Sequence, residues 1–176
     1  MHLILFGFKS CGKTYFGKLI AKKLNRLFID TDDLVIQAYQ QQTNSLYTIR
    51  QIYEILKETD FRKLEATSLS AIKLSSPSVI ALGGGTLLNH QSVSFFQALG
   101  HLVYLKTPFD TLRERILQKD LPSFIDSKNP VESLYEIYQK RTAIYELIPA
   151  QRIEMDATHE DDLMEKFSSI MRENGI

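Results

Sequence analysis

A single cysteine, no long apolar run and no excess of either charge set the first bounds on this chain. Cys11 is the only cysteine in 176 residues, so neither an internal disulfide nor a cysteine-based metal cage can form. Nothing approaches the roughly 18 consecutive apolar residues of a membrane-spanning helix. Leu3-Ile4-Leu5-Phe6 is too short for the hydrophobic core of a secretion signal, and a reducing cytoplasm is the expected setting. Lys+Arg and Asp+Glu both number 21; zero net charge offers nucleic acid no general field, and no acidic tail appears. His2, His90, His101 and His159 are scattered without metal-ligand spacing. No repeat or composition shift marks a boundary, so 1–176 reads as one domain, and a monomer is expected. The guanine-reading Asn/Thr-Lys-x-Asp and the switch Asp-x-x-Gly are both missing, which argues against a GTPase.

What is present is more specific. Gly7-Phe8-Lys9-Ser10-Cys11-Gly12-Lys13-Thr14 fits the phosphate-binding loop G-x-x-x-x-G-K-S/T. An apolar strand over 2–6 precedes it and a helical pattern over 13–25 follows, the context the motif requires. Backbone N–H groups at a helix start cradle phosphate oxygens where no Cβ intrudes, hence the glycines. Lys13 is placed to reach the β and γ oxygens, and Thr14 to offer its hydroxyl to Mg²⁺. Lys18, Lys22, Lys23 and Arg26 read as a solvated helix face. Cys11 reads as a small loop residue, expected to be exposed at a helix start where its thiol is acidified and open to alkylation.

Strands and helices then alternate. Leu27-Phe28-Ile29 is a short strand ending at Asp30; 33–42 is helical; 48–57 and 59–74 are two helices, with Leu64, Leu69 and Ile72 among their apolar positions. Ser78 to Leu82 is a buried strand ending in Gly83-Gly84-Gly85. A helix over 89–98, a strand over 101–105, a helix over 109–118, a mobile polar loop from Gln118 to Asn129, a helix over 131–147, a strand over 152–155 and a helix over 159–172 complete the pattern. Such alternation implies an α/β fold with a parallel sheet covered on both faces, and ligands bind beyond the carboxyl ends of the strands. Three strand ends carry notable residues: the phosphate loop, Asp30-Thr31-Asp32, and the glycine triplet.

The strand before the triplet lacks the aspartate that often organises the metal, so the carboxylate must come from elsewhere, and Asp30 and Asp32 at the end of the Leu27–Ile29 strand are the best placed. Their spacing of two places both on one side of an extended segment. Helix capping is the alternative, and Asp33 reads as a cap. The triplet fits either a ligand approaching the main chain or a tight turn. In Phe61-Arg62-Lys63-Leu64-Glu65, Arg62 and Glu65 share a helix face, which by itself describes a surface ion pair. Arg141, within Gln139-Lys140-Arg141-Thr142-Ala143, likewise reads alone as a surface residue.

Taken in order, the phosphate loop, Asp30-Thr31-Asp32, Phe61 to Glu65, Gly83 to Gly85, Val103-Tyr104-Leu105 and Lys140-Arg141 followed by Tyr145 resemble the shikimate kinase family over nearly the whole chain. The resemblance implies a three-layer phosphate-loop kinase fold with five parallel strands in the order 2-3-1-4-5. It also implies a substrate-binding region over 33–62 and a lid over about 117–128. The implied activity is ATP-dependent phosphorylation of the 3-hydroxyl of shikimate, giving ADP and shikimate 3-phosphate on the route to chorismate and aromatic amino acids.

By the same resemblance Ser10, Cys11, Gly12, Lys13, Thr14, Tyr15, Arg115 and Lys119 face ATP, with Arg115 stacked on adenine and Ala157 to Glu160 near the base. Thr14 and Asp30 serve Mg²⁺. Asp32 holds the shikimate hydroxyls and orients the attacking one. Arg62 and Arg141 grip the carboxylate, as the forked guanidinium suits. Glu65 orients Arg62, Gly83, Gly84 and Gly85 line the acceptor site, and Ile49, Tyr53 and Phe61 form its apolar wall, with Tyr53 where phenylalanine is usual. Lys13, Asp32, Arg62 and Arg141 are the catalytic set.

Two departures stand out. The family's lid has an Arg-Pro pair whose arginine meets the transferring phosphate; here Lys119-Asp120-Leu121-Pro122 puts Leu121 there, which should lower turnover, with Lys119 as the substitute point charge. The adenine-side loop lacks a basic residue other than His159. The competing expectations are another small-metabolite kinase of the same fold, such as a gluconate or nucleoside-monophosphate kinase, and a shikimate- or nucleotide-binding relative with little or no activity.

Overall fold

The computed structural model describes residues 1–70, 76–118, 121–122, 124–156 and 160–176. Five strands, β1 (His2–Phe6), β2 (Leu27–Asp30), β3 (Ser78–Ala81), β4 (Gly100–Lys106) and β5 (Gln151–Glu154), form one sheet in the order β2-β3-β1-β4-β5. Every pairing is parallel. β1 is central, with Leu3 opposite Val79 on one side and His101 on the other. It is apolar without alternation, since a strand covered on both faces has no solvent side; Leu3, Ile4 and Leu5 are fully buried.

The helices are α1 (Lys13–Leu24), α2 (Thr31–Thr43), α3 (Ile49–Ser70), α4 (His90–Leu99), α5 (Phe109–Leu117), α6 (Pro130–Glu146) and α7 (Glu160–Glu173). α1 and α7 meet through Phe16 and Phe167, and α5 meets α6 through Phe109 with Tyr135 and Tyr138. No helix among the described residues is long and apolar enough to cross a membrane. The expected helices over 48–57 and 59–74 appear as α3, broken at Lys57, where φ is 58° and ψ 179°. Ile72 lies outside the described residues.

Two apolar clusters form among the described residues. The larger surrounds the sheet. The smaller joins α2 to α3 through Val35, Tyr39, Ile52, Phe61 and Leu64. Because α3 is anchored by its own cluster, Arg62 and Glu65 are carried on a firm arm beside the ends of β2 and β3.

Candidate active site

The carboxyl ends of β1, β2 and β3 open onto a cleft enclosing about 230 Å³. Lys9, Ser10, Lys13 and Thr14 come from the loop after β1, Asp30 and Asp32 from the end of β2 and start of α2, and Gly83, Gly84 and Gly85 from the turn after β3. Arg62, Glu65, Ile49, Tyr53 and Phe61 reach in from α3, and Arg141 from α6. An adjoining recess is lined by Gly12, Tyr15, Arg115 and Gln118 together with Ser10, Lys13 and Thr14. Arg115 donates to the Ser10 carbonyl at 3.2 Å. Lys119, Asp120, Ala157, Thr158 and His159 lie outside the described residues.

Lys13 is nearly buried, and its Nζ donates to the carbonyls of Gly7 (3.0 Å) and Phe8 (2.8 Å). The loop thus pre-positions its own cation. Cys11 departs from expectation: its side chain is fully buried, its Sγ 3.6 Å from Lys13 Nζ. The loop curls around that thiol, which reagents in solvent therefore do not reach.

The two aspartates also differ from the extended-segment expectation. The chain turns from strand to helix between them, so Asp30 closes β2 and Asp32 sits in the first turn of α2. Asp30 divides its oxygens, Oδ1 accepting from the Asp32 N–H at 3.1 Å and Oδ2 from the Thr14 hydroxyl at 2.8 Å. Capping and site placement are thus combined in one side chain. Between them, buried Thr31 accepts the Gly83 N–H at 2.8 Å, tying the two turns together. Burial, then the Asp30 charge, push the Asp32 carboxyl up to about 6 against the pull of Lys13; Glu65 adds to the rise and Lys9 opposes it. A carboxylate so placed is strengthened as a proton acceptor.

Arg62 is not a mere surface pair. Its Nη1 donates to Glu65 Oε2 at 2.7 Å and its Nε to Glu58 Oε1 at 2.8 Å. Glu65 is buried, and its other oxygen accepts from the Thr86 hydroxyl at 2.7 Å. Burial works against the Arg62 cation, but Glu65 and Glu58 more than offset it and hold its pKa above the ordinary value. Arg141 lies over the rings of Phe124 (4.5 Å) and Phe8 (5.6 Å). Burial, reinforced by repulsion from Arg62, keeps its pKa below the usual range despite the nearby Tyr145. The Tyr145 hydroxyl donates to the Gly84 carbonyl and so fixes the middle of the glycine turn.

The glycines are a spatial requirement. A Cβ on Gly83 would sit 2.5 Å from Asp32 Oδ1, and one on Gly85 would collide with the Arg62 guanidinium. The turn lets a carboxylate and a guanidinium rest on bare backbone. Glu58 and Phe124 were not among the residues singled out from sequence, and Thr31 was named only within its motif.

A phosphate loop on one wall, with a raised carboxylate and two guanidinium groups facing glycine backbone on the other, makes this fold a phosphate-loop kinase acting on small molecules. Comparison with known proteins narrows the class. Residues 9–172 match the family model for shikimate kinase. Shikimate kinase 2 of Escherichia coli is 37% identical over 161 residues, covering 90% of this chain and 87% of that protein. The shikimate kinase of Thermodesulfovibrio yellowstonii is 31% identical over 145 residues, covering 82% and 80%. The solved shikimate kinase of Acinetobacter baumannii, in complex with shikimate, superposes with a TM-score of 0.82 at 27% identity, over 98% of this chain and 93% of that one. The chain belongs to the shikimate kinase family and is a phosphotransferase.

Proposed function

We propose that this chain transfers the γ-phosphoryl group of ATP to the 3-hydroxyl of shikimate, releasing ADP and shikimate 3-phosphate. The observation that carries this reading is the convergence of Asp32, Arg62 and Arg141 with the phosphate loop on one cleft. Arg62 and Arg141 take the acid's carboxylate. Gly83 to Gly85 lie under its ring, with Ile49, Tyr53 and Phe61 as the apolar side. Asp32 accepts a hydrogen bond from the attacking hydroxyl, holds it in line and takes its proton as the new P–O bond forms. The loop from Ser10 to Tyr15 cradles the phosphates, Lys13 turning from its two carbonyl partners toward them. Arg115 faces the adenine. A monomer suffices, because all these groups come from one chain.

The donors at the loop mouth suit Mg²⁺. The Thr14 hydroxyl and Asp30 carboxylate are hard oxygens already 2.8 Å apart, and Mg²⁺ takes one or two protein oxygens, completing its shell with phosphates and water. No cluster of three or more His, Cys, Asp or Glu suited to a metal occurs among the described residues. When bound, the ion neutralises charge on the phosphates. Thr14 would hold such an ion through its hydroxyl, and Asp30 would assist through its carboxylate.

Asp32→Ala tests the assignment. Shikimate-dependent ADP release is expected to disappear while ATP binding, measured by calorimetry, persists. Full shikimate turnover by that variant would contradict the role given to Asp32.

A further inference from the structure

Arg62 is held from a second side, by a bond chain that starts in the wall of the acceptor cleft. The Tyr53 hydroxyl donates to Glu58 Oε2, and Glu58 Oε1 accepts from Arg62 Nε at 2.8 Å. Tyr53 and Glu58 are five residues apart, which on an unbroken helix puts them about 140° apart in azimuth. The break at Lys57 removes that separation. Tyr53 ends up on one segment facing Glu58 on the next, while its ring packs edge-on against Phe61 at 5.2 Å.

The consequence for Arg62 is geometric. One hydrogen bond, from Nη1 to Glu65, leaves the guanidinium a pivot. A second, from Nε to Glu58, fixes its plane, and Nη2 is then left against Gly85 in the cleft. Against the effect of burial, the charges of Arg62 and, less strongly, Arg141 help hold the Glu58 carboxyl below its ordinary range. Its side chain is 58% exposed, against 25% for Arg62. It therefore contributes little to the core, and its interactions point toward the site.

We propose that Tyr53 and Glu58 are positioning residues for acceptor recognition: together they lock the Arg62 guanidinium in the orientation that presents Nη2 to the acid's carboxylate. This rests on the shikimate reading above. Because Arg62 grips the carboxylate alike in the ground and transition states, loosening it weakens binding without slowing the chemical step.

The test compares Tyr53→Phe, Glu58→Gln and Glu58→Ala with the unaltered enzyme, measuring KM for shikimate, KM for ATP, kcat and Tm. Glu58→Ala is expected to raise KM for shikimate about tenfold, the size of a lost bond to a charged group. Tyr53→Phe keeps the ring and is expected to raise it about threefold. Glu58→Gln, which still accepts from Nε, falls between the unaltered enzyme and the alanine variant. For the two Glu58 variants, kcat and KM for ATP stay put, and for all three Tm moves by no more than about 2 °C. An unchanged KM in Glu58→Ala overturns the brace while leaving the functional reading intact. A lowered KM also overturns it, since Glu58 would then be a competitor for Arg62. A KM rise accompanied by equal losses in kcat and Tm overturns it in favour of a purely structural role. No shikimate turnover by the unaltered enzyme overturns the functional reading itself, and the brace with it.

Discussion

Asp32 occupies the space where Gly83 would carry a side chain: a Cβ built on Gly83 falls 2.5 Å from Asp32 Oδ1 and 3.1 Å from Thr86 Oγ1. Asp32 is a short side chain at the start of α2 and has little room to yield. Gly83→Ala is therefore expected to displace the carboxylate and to lower kcat about a hundredfold, the scale of an ångström's misplacement. ATP binding is expected to stay intact. Steady-state kinetics with nucleotide calorimetry checks this, and an unimpaired kcat would contradict the placement of Asp32 against the reacting hydroxyl.

The raised Asp32 carboxyl has a stability consequence in the protein free of metal and nucleotide. Its native value of about 6 lies above the ordinary 3.8. The folded chain therefore holds this proton more tightly than the unfolded one. That stabilisation is complete below about 3.8 and is lost as pH rises through about 6. At pH 8 the ionised group costs on the order of 3 kcal/mol. Asp32→Asn is expected to be more stable than the unaltered chain at pH 8 by about that amount, with the difference shrinking toward pH 4. Urea unfolding at the two pH values decides, and a gap independent of pH would contradict it.

The Arg141 guanidinium lies over the rings of Phe8 and Phe124, with Arg62 nearby. A lysine there keeps the charge but loses the planar fork and the stacking. Arg141→Lys is expected to raise KM for shikimate about tenfold or more, with KM for ATP unchanged. Equal losses toward both substrates would place Arg141 elsewhere in the reaction.

Much of this was legible in the sequence, and the remainder has physical causes. The sheet could be read because buried parallel strands are short apolar runs bounded by glycine or aspartate, as in Leu3 to Phe6 and Ser78 to Leu82. The phosphate loop, Asp30, Asp32 and the triplet could be read because each sits at a strand end, where α/β folds put ligands. The break at Lys57 falls where two helices were expected to part. What escaped are groups whose role depends on distant chain segments. Phe124 meets Arg141 across a loop with no periodic pattern. Glu58 looks like any exposed helix residue until the Lys57 break turns it toward Tyr53. Cys11 was expected outside because loops are usually exposed, yet this loop folds around its own small thiol.

Lys57 itself is strained. With φ 58° and ψ 179° it occupies a region that is essentially glycine's alone, and such residues cost on the order of 1–3 kcal/mol. Lys57→Gly relieves that strain and loses part of the gain to unfolded-chain entropy. It is expected to stabilise the chain by about 1 kcal/mol and to raise Tm by about 2–4 °C. A lower Tm would show that the lysine's own contacts outweigh the strain.

The most direct test of the whole reading is ADP release from Mg²⁺–ATP, measured with and without shikimate, with phosphorus NMR of the products. Release that requires shikimate, accompanied by a phosphate ester on the 3-hydroxyl, is the expected result. ADP formed at the same rate without shikimate, or no ester on that hydroxyl, would contradict it.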